Sequence, residues 1–398
     1  MPQLTEPANL PPVPFNQTDT VFYNSTIRQT LHMSLGAGKI RLRISNAFGV
    51  EDLLVTEVTV SLPGGGKAGT SIIETGTLKK VTFSGQPSIL IPSGGLAVSD
   101  PIEFQVKPQS TLTVSVYLEE GQRGGHITSH PGSRTTSWMS FGNFVHAENL
   151  TDSSVQSVEH WYFLSAVEAW LPAASSGFAI IGDSITDGRG SDTNENNRWP
   201  DLVLAKMQRH PLTSAIAVLN QAAGGNRILN DGLGPNVISR LDRDVLAQSG
   251  IRYAMIFEGV NDIGVAAPDA ASQTAIGDRV IGAYEQTVSR IHTFGIPVFG
   301  ATITPFGTPD GSTIVQPYSN SEREKTRQRI NQWIRESHVF DAVIDFDWIL
   351  RDPKEPSQLA SEYDSGDHLH PNVAGYQAIA DAFPIDILLQ FANGVDRY

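Results

Sequence analysis

Ser184 stands in "FAIIGDSITDG" (178–188), where an apolar run leads directly into Gly-Asp-Ser. A serine hydroxyl is a weak nucleophile until a neighbouring base takes its proton. The chain offers such a base in His370, within "DHLHPN" (367–372), with Asp367 three positions before it. On a helical turn that spacing brings the two side chains together. A carboxylate beside an imidazole holds it in one tautomer and stabilises its cationic form. Acyl transfer then needs hydrogen-bond donors for the oxygen that becomes negative. Three candidates are available. They are the backbone N–H of Ser184, a backbone N–H at Gly225 in "NQAAGGNRI" (220–228), and the side-chain amide of Asn261 in "EGVNDI" (258–263).

Each stretch also has an ordinary reading. Ser184 could cap a helix, and Asn261 could make an Asx-turn. Gly224 and Gly225 could be a plain loop, and Asp367 with His370 a surface ion pair at a capped helix start. Asp183 and Asp187 read as turn and loop hydrogen-bonders. Together with His370 they are also the ligands that a rival, metal-dependent hydrolase would use. His368 and His370 have an H-x-H spacing that could ligate a metal, but no further ligand set accompanies it. Glu258 falls at a strand end with no partner assigned. His126 and His130 in "GGHITSHPGS" read as surface histidines. Trp199 is either a core anchor or a wall of the acyl pocket, and core is the simpler reading.

The four stretches must be positioned by their elements. Short apolar runs occur at 178–182, 214–219, 253–257, 297–303 and 340–345. Amphipathic segments separate them: "RWPDLVLAKM", "PNVISRLDRDVLAQ", "RVIGAYEQTVSRIHTFG" and "SEREKTRQRINQWIRESH". A last one, "AGYQAIADAFPIDILLQF", is expected to run to the end of the chain. Strand alternating with helix predicts a parallel sheet covered on both faces. Right-handed crossovers bring every strand's C-terminal end to one edge, where sites form.

Residues 20 to about 170 follow a different pattern. "TIRQTLHMSL", "KIRLRISNAF", "LLVTEVTVSL" and "STLTVSVYLEE" alternate apolar with polar residues, with Gly- and Pro-rich turns between them. Such alternation predicts an antiparallel, sandwich-like β-domain. The expected division is a β-rich accessory domain over 1–170, a linker at 171–177 ("LPAASSG") and an α/β domain over 178–398.

Taken in order, these blocks resemble the SGNH hydrolases, the GDSL family of esterases and lipases. "GDS" matches the nucleophile block with Ser184, and "AGGNR" the glycine block with Gly225 as donor. "GVND" matches the asparagine block with Asn261, and "DHLHPN" the final block with Asp367 and His370. The resemblance covers roughly 178–390. It implies a flavodoxin-like three-layer α/β/α domain with strand order 2-1-3-4-5, and a serine esterase that needs no cofactor and no metal. Many relatives carry a serine where this chain has Gly224, which leaves Gly224 and Gly225 as alternatives for the donor. The β-rich half is similar to domains attached to some secreted microbial members.

Composition narrows the partners. The 398 residues carry a formal net charge of -14, from 42 acidic and 28 basic side chains. That balance repels phosphate backbones and makes nucleic acid a poor partner. With no cysteine there is neither a disulfide, a thiolate metal site nor a thiol nucleophile. No apolar run approaches the ~20 residues of a membrane-spanning helix. The N-terminal stretch has no signal-peptide pattern. Sequons at Asn16, Asn24 and Asn149, with the β-domain, lead to the expectation of a secreted protein from which a signal peptide has been removed. The expected substrate is a small-molecule or polysaccharide-linked ester with a short acyl group. A non-catalytic carbohydrate-binding protein is the other alternative.

Overall fold

The computed structural model describes residues 2–396. The chain packs as two compact units, one reaching to Ala173 and taking in Thr193–Asn196, the other formed by Ala174–Asp192 and the residues from Asn197 onward.

The first unit is built from antiparallel strands. Its largest sheet has six, in the order Gln156–Val158, Ser137–Phe141, Ser25–His32, Thr111–Leu118, Glu57–Pro63 and Ile73–Val81. A second sheet joins Ile102–Val106, Ala37–Ser45 and Leu164–Ala169, with Leu96–Val98 also on Ala37–Ser45. Alternation in Ser25–His32 predicted one face in water, yet its first six residues are all buried. Each polar side chain on that strand finds an internal partner, which removes the cost of leaving water. Thr26 donates to the Gly142 carbonyl and Gln29 to that of Tyr162. The Arg28 guanidinium donates to the carbonyls of Ser71, Phe144 and Ala147. His130 is likewise buried, on the strand Thr128–His130 with its ring 6.0 Å from that of Trp161, and only His126 is exposed as the sequence suggested.

The second unit is organised by a five-stranded parallel sheet. Its strands are β1 (Ser176–Gly182), β2 (Ile216–Ala222), β3 (Ile251–Phe257), β4 (Val298–Ala301) and β5 (Ala342–Ile344). Their spatial order is 2-1-3-4-5. β1 begins at Ser176, inside the segment expected to be linker. Every residue of β1 and β4 is buried, so both faces of the sheet are covered. The covering helices are α1 (Ser184–Asp187), α2 (Trp199–Gln208), α3 (Val237–Leu241), α4 (Val260–Val265), α5 (Ala270–His292), α6 (Ser321–Glu336), α7 (Phe346–Leu350), α8 (Val373–Ala382) and α9 (Ile387–Gln390). The expected last helix is two, α8 and α9, broken ahead of Pro384, whose ring has no N–H to give.

Register carries the site. Gly182 at the end of β1 pairs with Ala222 of β2 on one side and with Phe257 of β3 on the other. Three strands therefore finish level, and Asp183, Ala223 and Glu258 leave the sheet side by side. This is the carboxyl edge of a parallel sheet at the point where strand order reverses.

Trp199 belongs to the core. It is fully buried, with its ring 5.2 Å from Phe346 and 6.3 Å from Phe383. Its indole N–H donates to Thr186 Oγ1 at 3.3 Å. Trp199→Ala is expected to cost about 3–5 kcal/mol of stability, read as a fall in the urea midpoint of the transition that reports the parallel sheet. A loss below ~1 kcal/mol would place the indole in a site able to collapse or fill with water.

Candidate active site

Asp183 caps α1, with its side chain accepting from the Ile185 N–H at 2.9 Å. Ser184 is thereby the first residue of a one-turn helix at the end of β1, buried but for a 7% exposure. Its hydroxyl lies 2.7 Å from Nε2 of His370. Nδ1 of the same ring lies 2.6 Å from Oδ2 of Asp367. A carboxylate can only accept, so Nδ1 carries the proton and Nε2 keeps its lone pair toward Ser184.

Asp367 and His370 do not sit on a helical turn, as their spacing suggested. They lie in a run of bends ahead of α8. What joins them is the Asp367 carboxylate itself, whose Oδ1 accepts from the backbone N–H groups of Leu369 and His370 at 3.1 and 2.9 Å. Burial pushes this carboxyl up, but bonds from the His370 ring and from those two backbone groups outweigh it and hold the acid well below its usual range. Asn372 then caps α8 through the Gly375 N–H. The loop leaving α1 touches this segment at Gly190. With φ of +96°, a Cβ there would stand 2.2 Å from the Pro371 carbonyl oxygen.

The two candidate glycines differ. The Gly224 N–H donates to Asp187 Oδ2 at 3.0 Å. The N–H of Gly225 makes no hydrogen bond among the described residues, and neither does that of Ser184. Gly225 has φ of +68°, a conformation that L side chains rarely adopt, and a Cβ on it would stand 2.7 Å from Cδ1 of the exposed Leu233 side chain, which would have to shift. Asp187, at the end of the helix that Ser184 begins, thus fastens the glycine turn to that helix. Asn261 lies on the first turn of α4 and donates from Nδ2 to the Asn226 carbonyl at 2.9 Å. Its Oδ1 accepts from the Tyr318 hydroxyl at 3.0 Å.

Several contributors carry no sequence motif. Arg240, from α3, is buried and donates to Gln221 O at 2.6 Å and to Asn226 Oδ1 at 2.8 and 3.1 Å. It braces the glycine loop from below. Asp262 accepts from the N–H groups of Ile228 and Leu229 and closes the same loop from the side. Gln316 donates to the Asp367 carbonyl at 2.8 Å.

His368 is engaged by its neighbours. Its ring faces Asp364 at 2.5 Å and the Ser312 hydroxyl at 2.8 Å. Among the described residues no three His, Asp or Glu side chains come together as a metal would require. Nor is any described helix long and apolar enough to cross a membrane.

Beneath the site lies a cluster of buried acids. Burial, then the charges of Asp262 and Asp187, push Asp183 up to about 7. Glu258 is pushed well above its ordinary value by burial and by Asp183, and Asp262 is raised by burial. The carboxyl of Glu258 has only a weak contact from the Gly259 backbone N–H, and Arg240 Nη2 is 3.6 Å away.

A sequence model of the GDSL-like lipase/acylhydrolase family matches residues 178–383. The chain belongs to that family. It is a carboxylic ester hydrolase. No curated protein matches it in sequence. Among solved structures it is similar to a GDSL-like lipase from Bacteroides thetaiotaomicron, at 15% identity and a TM-score of 0.37, covering 55% of this chain and 89% of the other. An acetyl xylan esterase, AlAXEase, aligns at 17% identity and a TM-score of 0.37, over 52% of this chain and 96% of that one. An alpha/beta hydrolase, LAE5, from the metagenome of Lake Arreo, Spain, aligns at 21% identity and a TM-score of 0.34, over 52% and 93%.

The buried acids make stability pH-dependent, with a definite sign. A carboxyl whose folded value lies above its unfolded value of ~4 binds a proton on folding across that interval. The contribution of such a carboxyl is therefore most favourable below ~4 and falls as pH rises toward the folded value. Glu258→Gln removes one such penalty, and Arg240 keeps its bonds to Gln221, Asn226 and Asp244. Melting at pH 8 is expected to shift upward in this variant, and less at pH 5, closer to the range in which the raised native carboxyl takes up its proton. Each tenfold change in the acid's proton affinity corresponds to about 1.4 kcal/mol. Equal shifts at both pH values would mean that Glu258 is ionised in neither or in both.

Proposed function

We propose that the protein is a serine esterase that cleaves carboxylic esters through an acyl-enzyme. Ser184 is the nucleophile, His370 the general base and acid, and Asp367 the residue that orients the ring. The N–H groups of Ser184 and Gly225 and the Asn261 amide form the oxyanion hole. The observation that carries this proposal is the unbroken line of hydrogen bonds from the Ser184 hydroxyl through both nitrogens of His370 to Asp367.

The steps follow from that arrangement. Ser184 Oγ attacks the carbonyl carbon as its proton passes to His370 Nε2. The carbonyl π electrons move to oxygen, and that charge is met by donors already in place, so little reorganisation is needed. The ionised Asp367 stabilises the imidazolium. Collapse of the tetrahedral species breaks the bond to the alcohol oxygen, which takes the proton from His370. Water then attacks the acyl-serine with the same histidine as base, releasing the acid and restoring Ser184.

For substrate, we propose a short acyl group on a carbohydrate or other small alcohol. A net charge of -14 disfavours phosphate-bearing esters and leaves neutral or cationic ones. The antiparallel unit is proposed as a sandwich-like accessory domain, with the change to the hydrolase unit falling between Ala173 and Ala174 rather than over 171–177. A panel of esters lengthened from acetyl upward, with acetylated xylan included, tests the acyl assignment, and a preference for long chains would overturn it.

Ser184→Ala is expected to remove turnover and fluorophosphonate labelling while leaving the melting temperature near that of the wild type. Near-normal hydrolysis by that variant would refute the assignment. Asn261→Ala is expected to cost on the order of 3 kcal/mol of transition-state stabilisation, expressed in kcat. A raised KM with unchanged kcat would make Asn261 a substrate binder instead.

A further inference from the structure

Residues 302–320, between β4 and α6, contain neither helix nor strand. An irregular connection of that length inside a packed unit usually has a functional reason. This one is tied down internally. The Thr308 N–H donates to Ser319 Oγ, and the Gln316 N–H to Thr308 Oγ1, each at 2.9 Å. Gln316 and Tyr318 turn inward from it. Gln316 Nε2 reaches the Asp367 carbonyl, and its Oε1 accepts from the Tyr318 N–H at 3.1 Å. Tyr318 reaches Asn261. One strap therefore touches both sides of the candidate site, the acid–histidine loop and the amide.

The contact with Asn261 has a chemical direction. The Asn226 carbonyl can only accept, so the Asn261 atom facing it must be Nδ2. Oδ1 then faces the Tyr318 hydroxyl, which donates to it. One N–H of the amide is occupied by Asn226 and the other is left for substrate. A donor on Oδ1 also draws density from the amide nitrogen and strengthens its remaining N–H as a donor. Burial, with the charges of Asp183 and Asp262, raises the Tyr318 phenol, so it keeps its proton wherever an esterase would be assayed. The ring is held where it must be. It lies flat against α4 at Gly264, where a Cβ would come within 2.3 Å of its Cδ2, and meets the Phe306 ring edge-on at 6.4 Å.

We propose that Tyr318 is a positioning residue of the oxyanion hole: its hydroxyl locks the Asn261 amide with one N–H directed at the substrate oxygen and sharpens that N–H as a donor. The proposal rests on Asn261 being an oxyanion donor, and it adds a residue that touches neither substrate nor the Ser184–His370–Asp367 line.

Tyr318→Phe keeps the ring and deletes the hydroxyl. Loss of one hydrogen bond of this kind is expected to lower kcat about three- to tenfold, with KM changed by less than about twofold. The decisive reading is the same substitution made in an Asn261→Ala background. With the amide gone, the hydroxyl has nothing to position, and the further loss should vanish. Rates are expressed per site titrated with a fluorophosphonate, so any unfolded fraction is removed from the comparison. A wild-type kcat in Tyr318→Phe overturns the proposal, as does a change confined to KM. So does an equal loss in both backgrounds, which would make Tyr318 a general support of the fold. Failure of the underlying assignment looks different: Ser184→Ala would retain turnover, or Asn261→Ala alone would leave kcat unchanged.

Discussion

One imidazole ring, bonded at both nitrogens, is the constraint to which the rest of the hydrolase unit answers. His370 meets Ser184 at 2.7 Å and Asp367 at 2.6 Å, and its tautomer follows from the acceptor-only character of the carboxylate. Ser184 leaves the end of β1, whereas His370 lies far along the chain, ahead of α8. Their meeting depends on parallel register bringing the strand ends level and on a bend held by backbone donors to Asp367. A shift of one residue in β1 against β3 would exchange the faces that the β1 side chains present and carry Ser184 out of level with the neighbouring strand ends.

The surroundings of the ring are costly in themselves. Asp183, Glu258 and Asp262 are buried together, and their charged forms repel one another where water cannot help. Asp183 and Asp262 offset part of that cost by holding backbone groups, Asp183 at the start of α1 and Asp262 at the glycine loop. Glu258 has only a weak contact of this kind, from the Gly259 N–H. Locally unfavourable residues gathered beneath a reactive edge are what a compromise between stability and activity produces.

Much of this was legible in the residue order. Three short blocks followed apolar runs and a fourth lay in the last strand-to-helix loop, and a parallel sheet sends such segments to one edge, so Ser184, the Gly224–Gly225 pair, Asn261, Asp367 and His370 could be named together. The choice between Gly224 and Gly225 could not be made that way. It turns on which N–H is already taken, and the taker, Asp187, is remote in sequence from the glycines. Arg240, Gln316 and Tyr318 were invisible for a related reason. Arg240 sits on a helix whose pattern reads as amphipathic, and its burial follows from where Asn226 happens to pass. Tyr318 lies in a stretch with no periodicity at all. Local pattern also misled in two places. The three-residue spacing of Asp367 and His370 suggested a helix where the structure has bends, and alternation in Ser25–His32 suggested a wet face that loops have covered.

The strap over 302–320 has two sides with opposite characters. Gln316 is buried and Tyr318 partly so, both engaged with neighbours, whereas Ile314 and Val315 at its tip are 53% and 72% exposed. The apolar side chains of Ile314 and Val315 make none of the hydrogen bonds that anchor Gln316 and Tyr318. Diversification of what the enzyme meets outside is thereby uncoupled from upkeep of the chemistry inside, and a lineage can remodel the one without risking the other.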